Sequence, residues 1–285
     1  VSPSSFDCDD IGAQIVTITS TDAAGNSSTE TKVINVVDNT APTITANAAT
    51  LTLNSNGVAV LSSSAATAAD NCSSSPSISY SQSTFTCADL GSNSVTVTAT
   101  DASGNAATAT MTVTVQDNTA PTIATQGGTI TVALDANGAA TITSSDVVSS
   151  VTDNCTTSPT VSISPSTFDC DDIGSNTITI TATDGAGNAT TATKSVTVVD
   201  NTAPSIAVVS SAVTVALDAN GAATITSSDV MSSTSDNCTS SPTVTITPST
   251  FGCSDLGSNT VTITSTDGSG NATTATKAIT VVDNT

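Results

Sequence analysis

Apolar residues recur at every second position along much of this chain. Ile130, Val132 and Leu134 alternate with Thr129, Thr131 and Ala133, and further on Ile178, Ile180 and Ala182 alternate with threonines as far as Asp184. Such alternation predicts strands with one face buried and the other, rich in Thr and Ser, in water. Turn residues stand between the strands. Asp135-Ala136-Asn137-Gly138 follows the first, and Asp184-Gly185-Ala186-Gly187-Asn188 precedes a last strand whose Val196 and Val198 point one way. The Asn-Gly step tolerates the positive φ of a tight reversal. Val161 with Ile163, then Phe168 with Cys170, predict two further strands, while residues 144–159 read as a polar stretch holding Asp146, Asp153, Asn154 and Cys155. About seven short strands without helical periodicity predict an all-β antiparallel two-sheet sandwich.

The pattern then repeats. Asp-Asn-Thr-Ala-Pro stands at 38–42, 117–121 and 200–204, and Asp283-Asn284-Thr285 starts the motif again, in steps of 79, 83 and 83 residues. The chain is therefore a tandem array: residues 1–40 are the back half of a unit, and 41–119, 120–202 and 203–285 are three whole ones. Each Ala-Pro ends one unit and starts the next strand in a set direction, because proline fixes its own φ and pushes its predecessor toward extended backbone. Such an array of sandwich beads is expected to form an extended rod.

Composition narrows the function. Apolar content is 37%, with one Tyr, four Phe and no Trp, so each unit buries a thin core and needs staples. A net charge of -21 opposes nucleic acid or an anionic membrane as partner and favours cations. No apolar run approaches the roughly 20 residues of a membrane span, and residue 1 falls in mid-unit, so any secretion signal is expected outside residues 1–285. With no His, no Arg and three Lys, a catalytic nucleophile with its base cannot be assembled, and the chain is not expected to be an enzyme.

Cysteines recur as Cys72 and Cys87, Cys155 and Cys170, Cys238 and Cys253, each pair 15 residues apart. The economical reading is one disulfide within each unit, contributing roughly 3 kcal/mol, in an oxidising extracellular setting. Cys8 matches Cys87, Cys170 and Cys253 in position, so its partner is expected in front of residue 1. Zinc competes poorly, lacking His and any Cys-x-x-Cys.

The run from Val95 to Asn105, Val-Thr-Val-Thr-Ala-Thr-Asp-Ala-Ser-Gly-Asn, followed by Thr112-Val113-Thr114-Val115-Gln116-Asp117-Asn118 and preceded by Asp70-Asn71, resembles the hyalin repeat. More broadly it is similar to the immunoglobulin-like repeats of large bacterial surface adhesins. The resemblance implies an immunoglobulin-like sandwich, an extracellular location and a role in cell adhesion.

In such a sandwich one loop, one hairpin and the entering linker share an end. For the unit 120–202 this gathers Asp117 and Asn118, Asp153 and Asn154, and Asp184 and Asn188; the same set recurs as Asp38, Asp70, Asp101, Asn105 and as Asp200, Asp236, Asp267, Asn271. Carboxylate, amide and carbonyl oxygens, six to eight in number, are what Ca²⁺ takes. One Ca²⁺ per junction is the expectation, against the plainer reading that Asp and Asn are turn residues bonding their own backbone. A second acidic set, Asp135, Asp146, Asp218 and Asp229, reads as turns. Lys32, Lys194 and Lys277 share strand parity with core valines, which allows amide crosslinks but fits snorkelling lysines more cheaply. The expected role is the stalk of a secreted cell-surface adhesin or fibre. Its partners would be neighbouring repeats and other copies in a filament; the alternative is repeats that bind glycan or protein themselves.

Overall fold

The structure, a computed structural model, describes residues 1–284. The chain divides into two compact units: Val1–Pro121 with Thr152–Pro159 and Asp184–Asn188, and Thr122–Val151 with Thr160–Thr183 and Ala189–Thr285.

The last repeat, inside the second unit, gives the plan. Its elements are β1 (Ser205–Val208), β2 (Val213–Ala216), β3 (Ala222–Thr224), α1 (Ser227–Val230), β4 (Met231–Ser235), β5 (Thr243–Thr247), β6 (Thr250–Gly252), β7 (Gly257–Thr266) and β8 (Ala272–Val282). One sheet has the order β2-β8-β7-β5, and β1 pairs β4 and β3 pairs β6 in two-stranded ladders. Between the sheets lie Val261 and Ile263 from β7, Ile279 and Val281 from β8, and Leu217, Ile225, Val230 and Phe251. Every second residue of β7 and β8 faces this core, and the intervening threonines are exposed or half-buried, as the alternation predicts. Fully burying one such Val or Ile contributes about 1.5–3 kcal/mol, and with Phe251 as the only aromatic the core stays thin.

One ladder departs from the antiparallel expectation. β2 runs parallel to β8, with Val213 opposite Ile279 and Ala216 opposite Val282. The entering strand is split. Its first piece, β1, pairs β4, and its second crosses to the other sheet as β2, with the rest of the repeat supplying the long connection that a parallel pair requires.

In the first unit the stretch from Thr43 to Gln116 has the same plan. The sheet order is Ala49–Thr52, Ala106–Gln116, Gly91–Thr100, Ser77–Tyr80, and the core holds Leu53, Phe85, Val95, Val97, Met111, Val113 and Val115. The only tyrosine serves this core's edge: the Tyr80 hydroxyl donates to the Ser63 carbonyl at 3.0 Å and accepts from the Ala66 N–H at 3.1 Å. Residues 1–40 contribute an antiparallel hairpin, Gly12–Thr21 against Ser27–Val36.

Three local expectations need correction. The stretch read as polar loop contains a one-turn helix, Ser144–Val147, and a strand, Val148–Thr152; Val147 is buried and anchors both. Cys170 does not continue the strand of Phe168 but opens a 3-10 turn, Cys170–Asp172, with Asp169 as its cap. In the Asn-Gly turns only the glycine takes positive φ, +74° at Gly138, and no other residue type does so among those described.

Candidate metal centres and the disulfides beside them

Each predicted acid set converges. Carboxylate oxygens of Asp117, Asp153 and Asp184 lie within 4.8 Å of one another, and so do those of Asp38, Asp70 and Asp101 and of Asp200, Asp236 and Asp267. Three elements deliver them: the segment following the last strand of a repeat, the loop after Val148–Thr152 or its equivalents, and the hairpin before the last strand of the following repeat.

Local bonding aims each carboxylate. Asp153 turns Oδ2 back onto its own loop, accepting the N–H of Cys155 at 3.0 Å and of Thr156 at 2.7 Å. Oδ1 is left buried with no hydrogen-bond partner. Asp117 accepts the Thr119 N–H and the Asn154 Nδ2–H at Oδ1, both at 3.1 Å, leaving Oδ2 buried and unpartnered. Asn154 donates through Nδ2, and its Oδ1 is likewise buried and bare. The third cluster repeats this atom for atom, with Asp200 Oδ2, Asp236 Oδ1 and Asn237 Oδ1 unpartnered; in the first, Asp70 Oδ1 is the bare atom.

The hairpin residues do something else. Asn188 donates its backbone N–H to Asp184 Oδ1 at 2.7 Å and its Nδ2–H to Asp184 Oδ2 at 2.8 Å and to the Asp117 carbonyl at 3.0 Å. Asn105 clamps Asp101 to the Asp38 carbonyl, and Asn271 clamps Asp267 to the Asp200 carbonyl, in the same way. The asparagines expected to ligate therefore tie hairpin to linker through their nitrogens, whereas Asn154 and Asn237 carry the free oxygens.

Burial raises the Asp184 carboxyl. The Asn188 side chain and the backbone N–H groups of Asn188, Gly187 and Ala186 outweigh it, holding the group below the ordinary carboxylate range. Asp101 is held low in the same way by Asn105, Gly104 and Ser103. Three anions are thus gathered in partly buried positions, where two unit charges about 5 Å apart repel by roughly 3 kcal/mol at an effective dielectric of about 20.

The disulfides overturn the expected pairing. Cys8 bonds Cys72, Cys87 bonds Cys155 and Cys170 bonds Cys238, while Cys253 is free and exposed. Each bond joins one repeat to the next, and no pair spaced by 15 residues is bridged. A strand of five residues, Thr160–Ser164, lies between Cys155 and Cys170. It carries the chain about 16 Å along the sheet between the two cysteines. Each closed loop of 64 or 68 residues contributes roughly 4 kcal/mol on the chain-entropy account.

A glycine stands against the sulfur at two of the three bonds, and Gly221 against the free Cys253. A Cβ on Gly138 would stand 2.5 Å from Cys170 Sγ and 3.1 Å from the Asn237 carbonyl, and Gly57 stands likewise to Cys87 and Asn154. Positive φ and this close approach both require glycine there. Beside the bond, Asn237 donates Nδ2–H to the Asp135 carbonyl at 3.0 Å and Asn154 to the Asn54 carbonyl at 3.2 Å.

The second acidic set consists of turn and cap residues. Asp135 Oδ1 accepts from Asn137 N and Ala139 N, and Asp146 Oδ2 caps its helix by accepting from Thr143 N and Oγ1. Asp218 and Asp229 do the same. Two of the three lysines end on carbonyl oxygens: Lys194 Nζ donates to Gln126 and Gly128, and Lys277 Nζ to Val209, while Lys32 is exposed.

Among known families, the HYR domain matches residues 37–115. No curated protein sequence matches the chain. Solved structures that align with the chain include protocadherin PcdhgB3 EC1-4, at 15% identity over 96% of this chain and 83% of that one, with a TM-score of 0.31. The Sidekick-1 immunoglobulin domains 1-5 align at 12% identity over 98% of this chain and 68% of that one, with a TM-score of 0.36. Mouse Cadherin-23 EC22-24 aligns at 14% identity over 86% of this chain and all of that one, with a TM-score of 0.32. Scores at this level leave the fold assignment to the strand order and the HYR match. No helix among the described residues is long and apolar enough to cross a membrane. The disulfide bonds and the HYR match point to an extracellular repeat region. Residues 37–115 are thus similar to a hyalin repeat, and the chain as a whole is a tandem series of β-sandwich repeats.

Proposed function

We propose that this region is the spacer of a secreted cell-surface adhesin or fibre, with units 1–40, 41–119, 120–202 and 203–285, and that it binds one Ca²⁺ at each of its three acid clusters. The observation carrying the metal reading is the set of buried, unpartnered oxygens on Asp117, Asp153 and Asn154, matched by Asp200, Asp236 and Asn237. A buried polar atom without a partner costs about 1–3 kcal/mol, and the same atoms recur at equivalent positions. Their donors are hard oxygens, with the neighbouring cysteines consumed in disulfides, which suits Ca²⁺ and not a soft metal. Asp117, Asp153, Asp184 and Asn154 would hold the ion in one cluster, and Asp200, Asp236, Asp267 and Asn237 in another. Asp38, Asp70 and Asp101 serve the first. Bound there, the ion neutralises carboxylates that otherwise repel one another.

The spacer reading is supported by repetition of the same acids in every unit and by the single tyrosine being engaged in its own repeat's core, which leaves no aromatic binding patch. Calorimetric titration of the chain with Ca²⁺ is expected to give three sites and a melting temperature that falls on adding EDTA. Identical melting curves in Ca²⁺ and EDTA sink the metal reading. Saturable binding of the chain to a glycan or protein sinks the spacer reading.

A further inference from the structure

We propose that the disulfides form a covalent short circuit along the chain, so that a pulling force bypasses most of each repeat and the region cannot lengthen by unfolding. The inference deepens the spacer reading and rests on it for biological meaning, while the mechanical property follows from connectivity alone. Load entering ahead of Cys8 crosses to Cys72 through sulfur, runs along the backbone to Cys87, and crosses to Cys155. From there it runs to Cys170, crosses to Cys238, and follows the backbone to Cys253. Each backbone stretch in this path is 15 residues long. The 64- and 68-residue loops between bonded cysteines hang outside it.

The lengths decide what this does. Cys8 and Cys253 are 245 positions apart, a bare contour of about 860 Å at roughly 3.5 Å per residue. Along the bonded path, the three stretches reach about 160 Å at full extension, plus three bridges of 5.1 to 5.3 Å between Cα atoms. Had the same cysteines paired inside each repeat, the three long intervals would have stayed under load, about 200 residues of extensible chain. The number of bonds is equal; only the pairing makes the region inextensible. Within a loaded stretch, a strand such as Thr243–Thr247 is itself zipped onto Gly257–Thr266, so even the short path is partly held by a ladder.

Single-molecule extension of the full chain, with handles at both termini, tests this. The oxidised chain is expected to release no length step beyond about 50 Å per stretch, apart from about 110 Å from the 32 residues that follow Cys253, and adding a reductant under load is expected to expose steps of whole repeats, roughly 290 Å each. Replacing Cys87→Ser together with Cys155→Ser should add one release of about 240 Å, from the 68 residues returned to the load path. Where that double variant does not fold, reduction of the folded wild-type chain under force reads the same release. Whole-repeat steps in the oxidised chain overturn the proposal. Its failure leaves the spacer reading intact, since that reading stands or falls on the binding assay.

Discussion

Asp153 and Asp135 lie 18 positions apart, both in acidic turns, and both are spent partly on nearby backbone N–H groups. Asp135 closes its account locally. One oxygen takes two backbone donors and the other takes the Asn137 amide at 3.4 Å, all on the exposed surface. Asp153 uses a single oxygen for both of its backbone bonds and holds the other, buried and bare, beside Asp117 and Asp184. The difference is where the turn is placed. A carboxylate in a turn is ordinary, whereas one whose spare oxygen meets two others at a boundary between repeats is placed as the proposed cation site requires.

The largest expected effect on this comparison comes from the ion. At a free Ca²⁺ concentration of 100 times Kd, each occupied site stabilises its repeat by about 2.7 kcal/mol, read as a rise in melting temperature of several degrees over the EDTA-treated chain. The substitution Asp236→Asn should weaken its own site at least tenfold and cut the calorimetric stoichiometry from three towards two. Its sign is diagnostic: destabilising in Ca²⁺, but neutral or stabilising in EDTA, where it relieves repulsion among Asp200, Asp236 and Asp267. A loss of stability in both conditions would return Asp236 to the class of turn residues. Next, Gly138→Ala should cost roughly 1–3 kcal/mol by placing a Cβ against Cys170 Sγ at positive φ, seen by thermal melts.

Acid distinguishes the two sets less sharply. Asp135 is held low chiefly by the N–H groups of Ala139 and Asn137, and Asp184 by bonds that outweigh its burial. A depressed carboxylate stabilises the fold above its unfolded pKa of about 3.9, and that contribution is lost as pH falls through the folded value. The Ca²⁺-free chain is therefore expected to hold its melting temperature down to about pH 4 and to lose it below. The least effect belongs to Asp135→Asn, which should leave three Ca²⁺ sites and flatten only the acid limb.

Much of this was legible in the sequence. Alternating Val and Thr placed β7 and β8, and the recurring Asp-Asn-Thr-Ala-Pro placed the linkers that bring Asp117 and Asp200 to their clusters. The disulfides were misread although Val161 and Ile163 had already marked the strand that separates Cys155 from Cys170. Equal spacing suggested partners, but spacing along the chain does not report which cysteine of the neighbouring repeat lies within reach of each sulfur. The parallel β2–β8 pair was not legible, because alternation reports which face is buried and not which neighbour a strand takes. Likewise, which asparagine spends nitrogen and which offers oxygen depends on side-chain rotation that no spacing encodes.

The residues Asp153, Asn154 and Cys155 are consecutive, so the sulfur bridge and the proposed ion share a single tripeptide. Any free energy one event spends in ordering that tripeptide is saved for the other, and thermodynamic reciprocity makes the saving mutual. Reduction should then loosen calcium's grip, and calcium should in turn shift the thiol–disulfide equilibrium towards the bonded form.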